Sequence, residues 1–195
     1  MNILYTPESR TRWRPVVKPA HLQRMYLGIA FASFVCIHTD FYVIDCSNMV
    51  GVMCLVDFCF VKKKDMLLHH ASVLAVLHYM NTHPDITYKK EIAVTLLSAE
   101  TSTIFLTLNN LIEKASLVKT VNQVAFVSTF VYYRIYNYSL LMLDPNIHNA
   151  FLVYSRNAWD YGEFYFGFYS LFCLNLYWCF LIFKKVVEQR YKTLR

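Results

Sequence analysis

Apolar residues gather into six stretches, at about 25–44, 48–61, 66–80, 92–112, 120–143 and 164–183. Polar and basic residues fill the gaps. The first, fourth, fifth and sixth stretches reach about 20 residues, enough for an α-helix rising about 1.5 Å per residue to cross a hydrocarbon core of about 30 Å. The second and third are shorter, and runs of that size are more often buried or re-entrant helices. Removing both would leave the two ends of the chain on the same side. The pattern predicts an all-α membrane protein of six transmembrane helices. A basic arm at 1–24 precedes a membrane domain at 25–183, and a basic tail at 184–195 follows. Pro7, Pro15 and Pro19 keep the arm from forming one continuous helix. Trp13 and Tyr26 are placed to anchor at the interface.

Composition agrees with that pattern. Hydrophobic residues make up 56% of the 195 and charged residues only 16%, which excludes a disordered chain. With only 4 Gly, a Gly-rich nucleotide-binding design is excluded as well. The net charge of +6 fits either nucleic acid or an anionic membrane face, so the positions of the charges decide.

Those positions are ordered. With the N-terminus in the cytoplasm and the spans alternating, 15 Lys and Arg fall on the cytoplasmic side and 3 on the other. That bias is the positive-inside signature. It places both termini in the cytoplasm. It also counts the two short stretches as crossings, because Lys62, Lys63 and Lys64 then lie on the cytoplasmic face. No nucleic-acid-binding motif accompanies the charge, so no nucleic-acid partner is expected. The first stretch begins after 24 residues and is too long for the apolar core of a cleaved signal peptide. The six Cys show no metal-ligand spacing and lie mostly in apolar runs, where Cys acts as a small hydrophobe. Neither a metal site nor a structural disulfide is expected.

Ionisable groups inside a span are costly, so each is a functional candidate. Asp57, the pair His69-His70, Glu100 and Arg134 stand out, with His78 and Asn109 secondary. Asp57 lies about 6 Å from the cytoplasmic end of the second helix, and the His pair about 4–6 Å into the third. A short connection makes these helices antiparallel neighbours. The carboxylate and imidazoles therefore share a depth, where a carboxylate fixes an imidazole's tautomer. Adjacent residues point about 100° apart on a helix, so the two His play different roles, one at a cavity and the other against a neighbour or the lipid side. Glu100 and Arg134 are expected to face each other in the bundle interior, as either a structural pair or a substrate site. Asp65 reads as an acidic residue at a helix start. The aromatics at 161–180 read as packing and interface belt.

These residues resemble the TLC-domain family of membrane proteins, which includes the ceramide synthases. Four stretches carry the likeness: Asp57 with the Lys62-Lys63-Lys64-Asp65 loop and Leu68-His69-His70; Leu96-Leu97-Ser98-Ala99-Glu100-Thr101-Ser102-Thr103-Ile104-Phe105; Phe130-Val131-Tyr132-Tyr133-Arg134-Ile135; and Leu174-Asn175-Leu176-Tyr177-Trp178 before Lys184-Lys185. Glu100 stands where ceramide synthases carry Asp. The resemblance implies a barrel-like bundle of six helices with a lipid cavity open to the cytoplasmic side. It also implies a multi-pass protein of the endoplasmic reticulum or a related internal membrane.

By that resemblance the protein is a membrane lipid N-acyltransferase. A fatty acyl group would pass from acyl-CoA to the amine of a sphingoid base or similar lipid. His69, His70 and Asp57 would carry the chemistry. Glu100, Asn109, Arg134, Lys62, Lys63 and Lys64 would bind substrate, the lysines taking the CoA phosphates. Acyl-CoA would be a co-substrate with no resident cofactor, membrane lipids would be partners, and a homodimer is left open. The alternative is a non-enzymatic lipid binder, lipid sensor or regulator of membrane composition, which the Glu-type acidic segment favours. A third reading is an ion or proton pathway through Glu100, Arg134 and the histidines.

Overall fold

The computed structural model describes residues 20–39, 43–58, 60–61, 63–83, 86–112 and 117–193. The basic arm through residue 19, including Trp13, and Lys62 lie outside them. The elements are α1 (Ala20–Thr39), α2 (Val43–Phe58), α3 (Lys64–Thr82), α4 (Lys89–Leu111), α5 (Leu117–Thr129), a π-helical segment (Phe130–Asn137), α6 (Tyr138–Leu143), α7 (Pro145–Tyr154) and α8 (Ala158–Thr193). No strand occurs among the described residues. Thr129 and Tyr138 keep right-handed helical angles, so α5, the π segment and α6 form one rod.

The helices are held in place by their small, aromatic and apolar faces. α3 packs against α2 and α8, α4 against α1, α2, α5 and the π segment, and α8 also touches the π segment. The main core gathers Val76, Leu77, Tyr79, Met80, Ile92, Leu97, Phe151, Phe164 and Phe168, all buried. Outside it the surface is strongly apolar. Phe31, Leu55, Val124, Leu140 and Phe180 are each more than half exposed, which suits lipid rather than water. Among the described residues, two helices are long and apolar enough to cross a bilayer: Lys89–Leu111 with mean hydropathy 1.3 and Ala158–Glu188 with 1.7. Only 39% and 33% of their apolar windows are buried, so each shows most of its surface outward.

The first two helices start about five residues before the apolar runs suggested. The polar run His38-Thr39-Asp40 falls at the end of α1, but Phe41 to Ile44 are apolar again, so hydropathy draws the first stretch past the end of α1 and starts the second too late. The stretch between 143 and 164, expected to be a connection, contains α7. Its start has a clear cause: Asp144 accepts a hydrogen bond from the Asn146 backbone N–H at 2.9 Å, and Pro145 occupies the first turn. Its buried Ile147 and Phe151, one turn apart, bind it to the core. The basic tail continues α8 as helix through Thr193.

The absence of a disulfide is corrected. Cys36, one turn before the end of α1, is bonded to Cys46, one turn into α2, with a Cα–Cα distance of 6.8 Å. Reasoning from apolar context missed it because the meeting of two helix ends, not either helix alone, brings the two thiols together. Closing a loop of this length stabilises a fold by about 2–3 kcal/mol in the chain-entropy view. The expected result is that Cys36 and Cys46 resist maleimide in unfolded, unreduced protein and react after reduction. Peptide mass mapping checks this, and equal labelling before and after reduction contradicts it.

Candidate functional site

Asp57 sits in the last turn of α2 and His70 in the second turn of α3, across the short connection that holds Lys63. Both are buried, and His70 Nε2 lies 3.5 Å from Asp57 Oδ2. The Phe58 ring closes over His70 edge-on, with centroids 6.0 Å apart. His70 is thus held against its own hairpin. Lys63 and Lys64 are exposed at the same end of the bundle.

His69 points elsewhere, as the 100° step requires. Its ring lies 5.2 Å from the Trp178 ring of α8. Trp178 Nε1 donates to Asp65 Oδ2 at 3.0 Å, so Asp65 fixes the indole that packs on His69. Asp65 therefore does more than start a helix. His69 Nδ1 is buried and has no hydrogen-bond partner.

Arg134 comes from the π segment, where the wider turn alters which side chains face a neighbouring helix. It is buried and reaches across to α4. Its Nε donates to the Ser102 hydroxyl at 2.9 Å and to the Ala99 carbonyl at 3.2 Å, and its Nη2 donates to the Thr103 hydroxyl at 3.2 Å. Glu100 Oε1 lies 3.7 Å from Nη2. The guanidinium carbon also stands 5.6 Å over the Phe130 ring. Polar groups between Ala99 and Thr103 on α4 thus neutralise and orient one cation in the interior.

A narrow cavity of about 20 Å³ connects these groups, lined by His69, Glu100, Arg134, Tyr138 and Asn175 among apolar side chains. That volume holds about one water-sized group. The structure brings His69, Glu100 and Arg134 to one cavity and sets His70 and Asp57 beside it. It does not bring Asn109 there. Asn109 is buried on α4 with both amide atoms unpartnered. His78 pairs with Glu163 at 2.8 Å near the opposite end of α3. Sequence reasoning singled out Asn175 and Trp178 only as part of the family likeness and gave neither a role in the site. Asn175 had a signal: an amide inside the apolar stretch 164–183 is a costly group of the kind flagged elsewhere.

Among the described residues, an all-helical fold with an apolar exterior and a polar cluster in its interior is built as a membrane protein. A family model for the TLC domain matches residues 5–184, and the chain belongs to that family. No curated protein and no solved structure matches it.

Proposed function

We propose that this TLC-domain protein is a lipid N-acyltransferase, moving a fatty acyl group from acyl-CoA to the amine of a sphingoid base or similar lipid. The observation that carries this reading is His69 Nδ1, buried, unpartnered and on a ring that lines an interior cavity. An unengaged imidazole nitrogen can attack the thioester carbon or take the amine proton. In the first route an acyl-imidazole forms and CoA leaves as thiol, after which the amine displaces the imidazole and gives the amide. In the second the amine attacks the thioester directly while His69 holds its proton. Both routes end with amide, CoA thiol and a restored imidazole. Asp57 and His70 position the neighbouring ring, and Lys63 and Lys64, with Lys62 beyond the described residues, supply cations for the CoA phosphates.

In our reading six helices form a ring that spans an internal membrane such as the endoplasmic reticulum, with both termini cytoplasmic. The packing order α1–α2–α3–α8–π segment–α4–α1 supports the ring. The lysine asymmetry supports the orientation. So does the Cys36–Cys46 bond, which lies at the α1–α2 connection, opposite the lysine end, where an oxidising lumen would form it. The touch between α2 and α4 narrows the ring's centre, so those helices must part for a chain to enter.

The test is mass spectrometry of purified protein given acyl-CoA and a long-chain base. The expected result is amide product from wild type, and turnover reduced at least ~100-fold in His69→Ala. No product from wild type, or His69→Ala turnover equal to wild type, overturns the reading. The small cavity favours a second reading, a lipid binder without turnover. That reading expects co-purified lipid retained by wild type and no amide formed.

A further inference from the structure

We propose that Asn175 and His69 together form a subsite for one hydroxyl or amine group at the end of an aliphatic chain. Asn175 is buried on α8, 2% exposed, and its Oδ1 has no hydrogen-bond partner. It lines the same cavity as His69, whose Nδ1 is also unpartnered. Two orphaned polar atoms beside one small space are expensive, since each keeps its desolvation cost without a bond in return. A protein that retains both has a use for a guest that satisfies both. The other polar groups around the cavity have partners: the Tyr138 hydroxyl donates to the Phe168 carbonyl at 3.1 Å, Arg134 is bound to α4, and the Glu100 carboxylate lies 3.7 Å from Arg134 Nη2. The guest's polar end therefore belongs to His69 and Asn175.

A primary amine fits with its two N–H donors, one to Asn175 Oδ1 and one to the unprotonated His69 Nδ1, which leaves its lone pair free and sets His69 to take the amine proton. A hydroxyl fits with its single O–H donated to one of the two atoms. Rotating the Asn175 amide exchanges Oδ1 for Nδ2, so the pair accommodates either polarity of contact. The apolar end has a place too. A second, smaller cavity of about 10 Å³ shares Val50, Val73 and Leu96 with the first and continues to Ser47 and Leu77. These residues mark an apolar seam between α2, α3 and α4, leading away from the polar pair. An aliphatic chain lies along that seam when the helices part. Rings, sugars and phosphates do not suit a polar subsite of one-group size.

This inference deepens the acyl-transfer reading by naming how the acceptor lipid's head is held, and it rests on that reading only for the fate of the lipid once bound. The experiment is native mass spectrometry of the detergent-purified protein with octadecylamine, octadecanol and octadecane. The expected result is binding of the amine and the alcohol but not of the alkane. Asn175→Leu should weaken both by about tenfold while melting at or above the wild-type temperature, because an apolar side chain of similar volume removes an orphaned polar group. Asn175→Asp, which offers only acceptors, should favour the amine over the alcohol relative to wild type. Equal binding of all three chains by wild type overturns the subsite, as does binding by Asn175→Leu within about twofold of wild type. If Asn175→Leu fails to fold, an unchanged amine-to-alcohol ratio in Asn175→Asp overturns it. Asn175-dependent binding without any amide product would retain the subsite and remove the acyl-transfer reading. Amide formation with Asn175-independent binding would do the reverse.

Discussion

Gly167→Leu should be the most damaging single change on α8, lowering the melting temperature of the detergent-purified protein by about 10 °C. A Cβ at Gly167 would stand 2.8 Å from the Ser72 backbone carbonyl, 2.8 Å from Val76 Cγ2 and 3.3 Å from Ala75 Cβ. The first of these is backbone and cannot swing aside. Small residues let two helices approach this closely within a bilayer, where packing replaces the hydrophobic drive between helices. Any larger side chain must separate α3 from α8. The consequence reaches the site, because α8 presents Trp178 and Asn175 to a region whose opposite wall is His69 on α3. Gly162, five residues earlier on the same helix, provides the control. Nothing lies within 4 Å of a Cβ there. Gly162→Ala should raise stability by up to about 1 kcal/mol through helix propensity. Fluorescence-detected thermal unfolding of both variants checks the contrast. Equal shifts of the same sign would show that α3 and α8 do not meet as described.

Much of this architecture can be read from the chain, and the rest fails for identifiable reasons. Depth along a helix comes from counting residues, so the Asp57–His70 meeting and the Glu100–Arg134 meeting are both legible. Which of two adjacent histidines turns inward is not, since that depends on the azimuth of α3 against α8. Counting also misses partners from distant helices. Trp178 reaches Asp65 across 113 residues of sequence, and no periodicity announces it. The π segment is equally hidden: Phe130–Asn137 carries no residue that requires wider turns. The break between α1 and α2 is legible but misplaced by hydropathy, because Phe41, Tyr42, Val43 and Ile44 extend the first apolar run beyond Thr39. In contrast, α7 is legible in principle. Asp144-Pro145 is a helix start, and Ile147 and Phe151 have helical spacing, but a search for spans about 20 residues long passes over a helix of 10.

Arg134→Ala should cost about 3 kcal/mol, lowering the melting temperature by roughly 6–12 °C. Four contributions act together. The guanidinium donates three hydrogen bonds to α4, at 2.9–3.2 Å, and each is worth about 0.6–1.7 kcal/mol in a membrane protein. Its loss also leaves Glu100 beside the cavity without the cation that balances it. That stranded carboxylate makes a specific double substitution informative. Glu100→Gln added to Arg134→Ala should recover part of the stability, because it removes the charge that Arg134 balanced. Arg134→Lys should rescue poorly. An ammonium on a flexible stem cannot reproduce the planar fork that meets Ala99, Ser102 and Thr103 at once. Thermal unfolding of wild type and these variants, with Glu100→Gln alone, closes the cycle. If Arg134→Lys melts with wild type, charge alone suffices and the fork is irrelevant. If Arg134→Ala melts within about 2 °C of wild type, Arg134 is not what joins the π segment to α4.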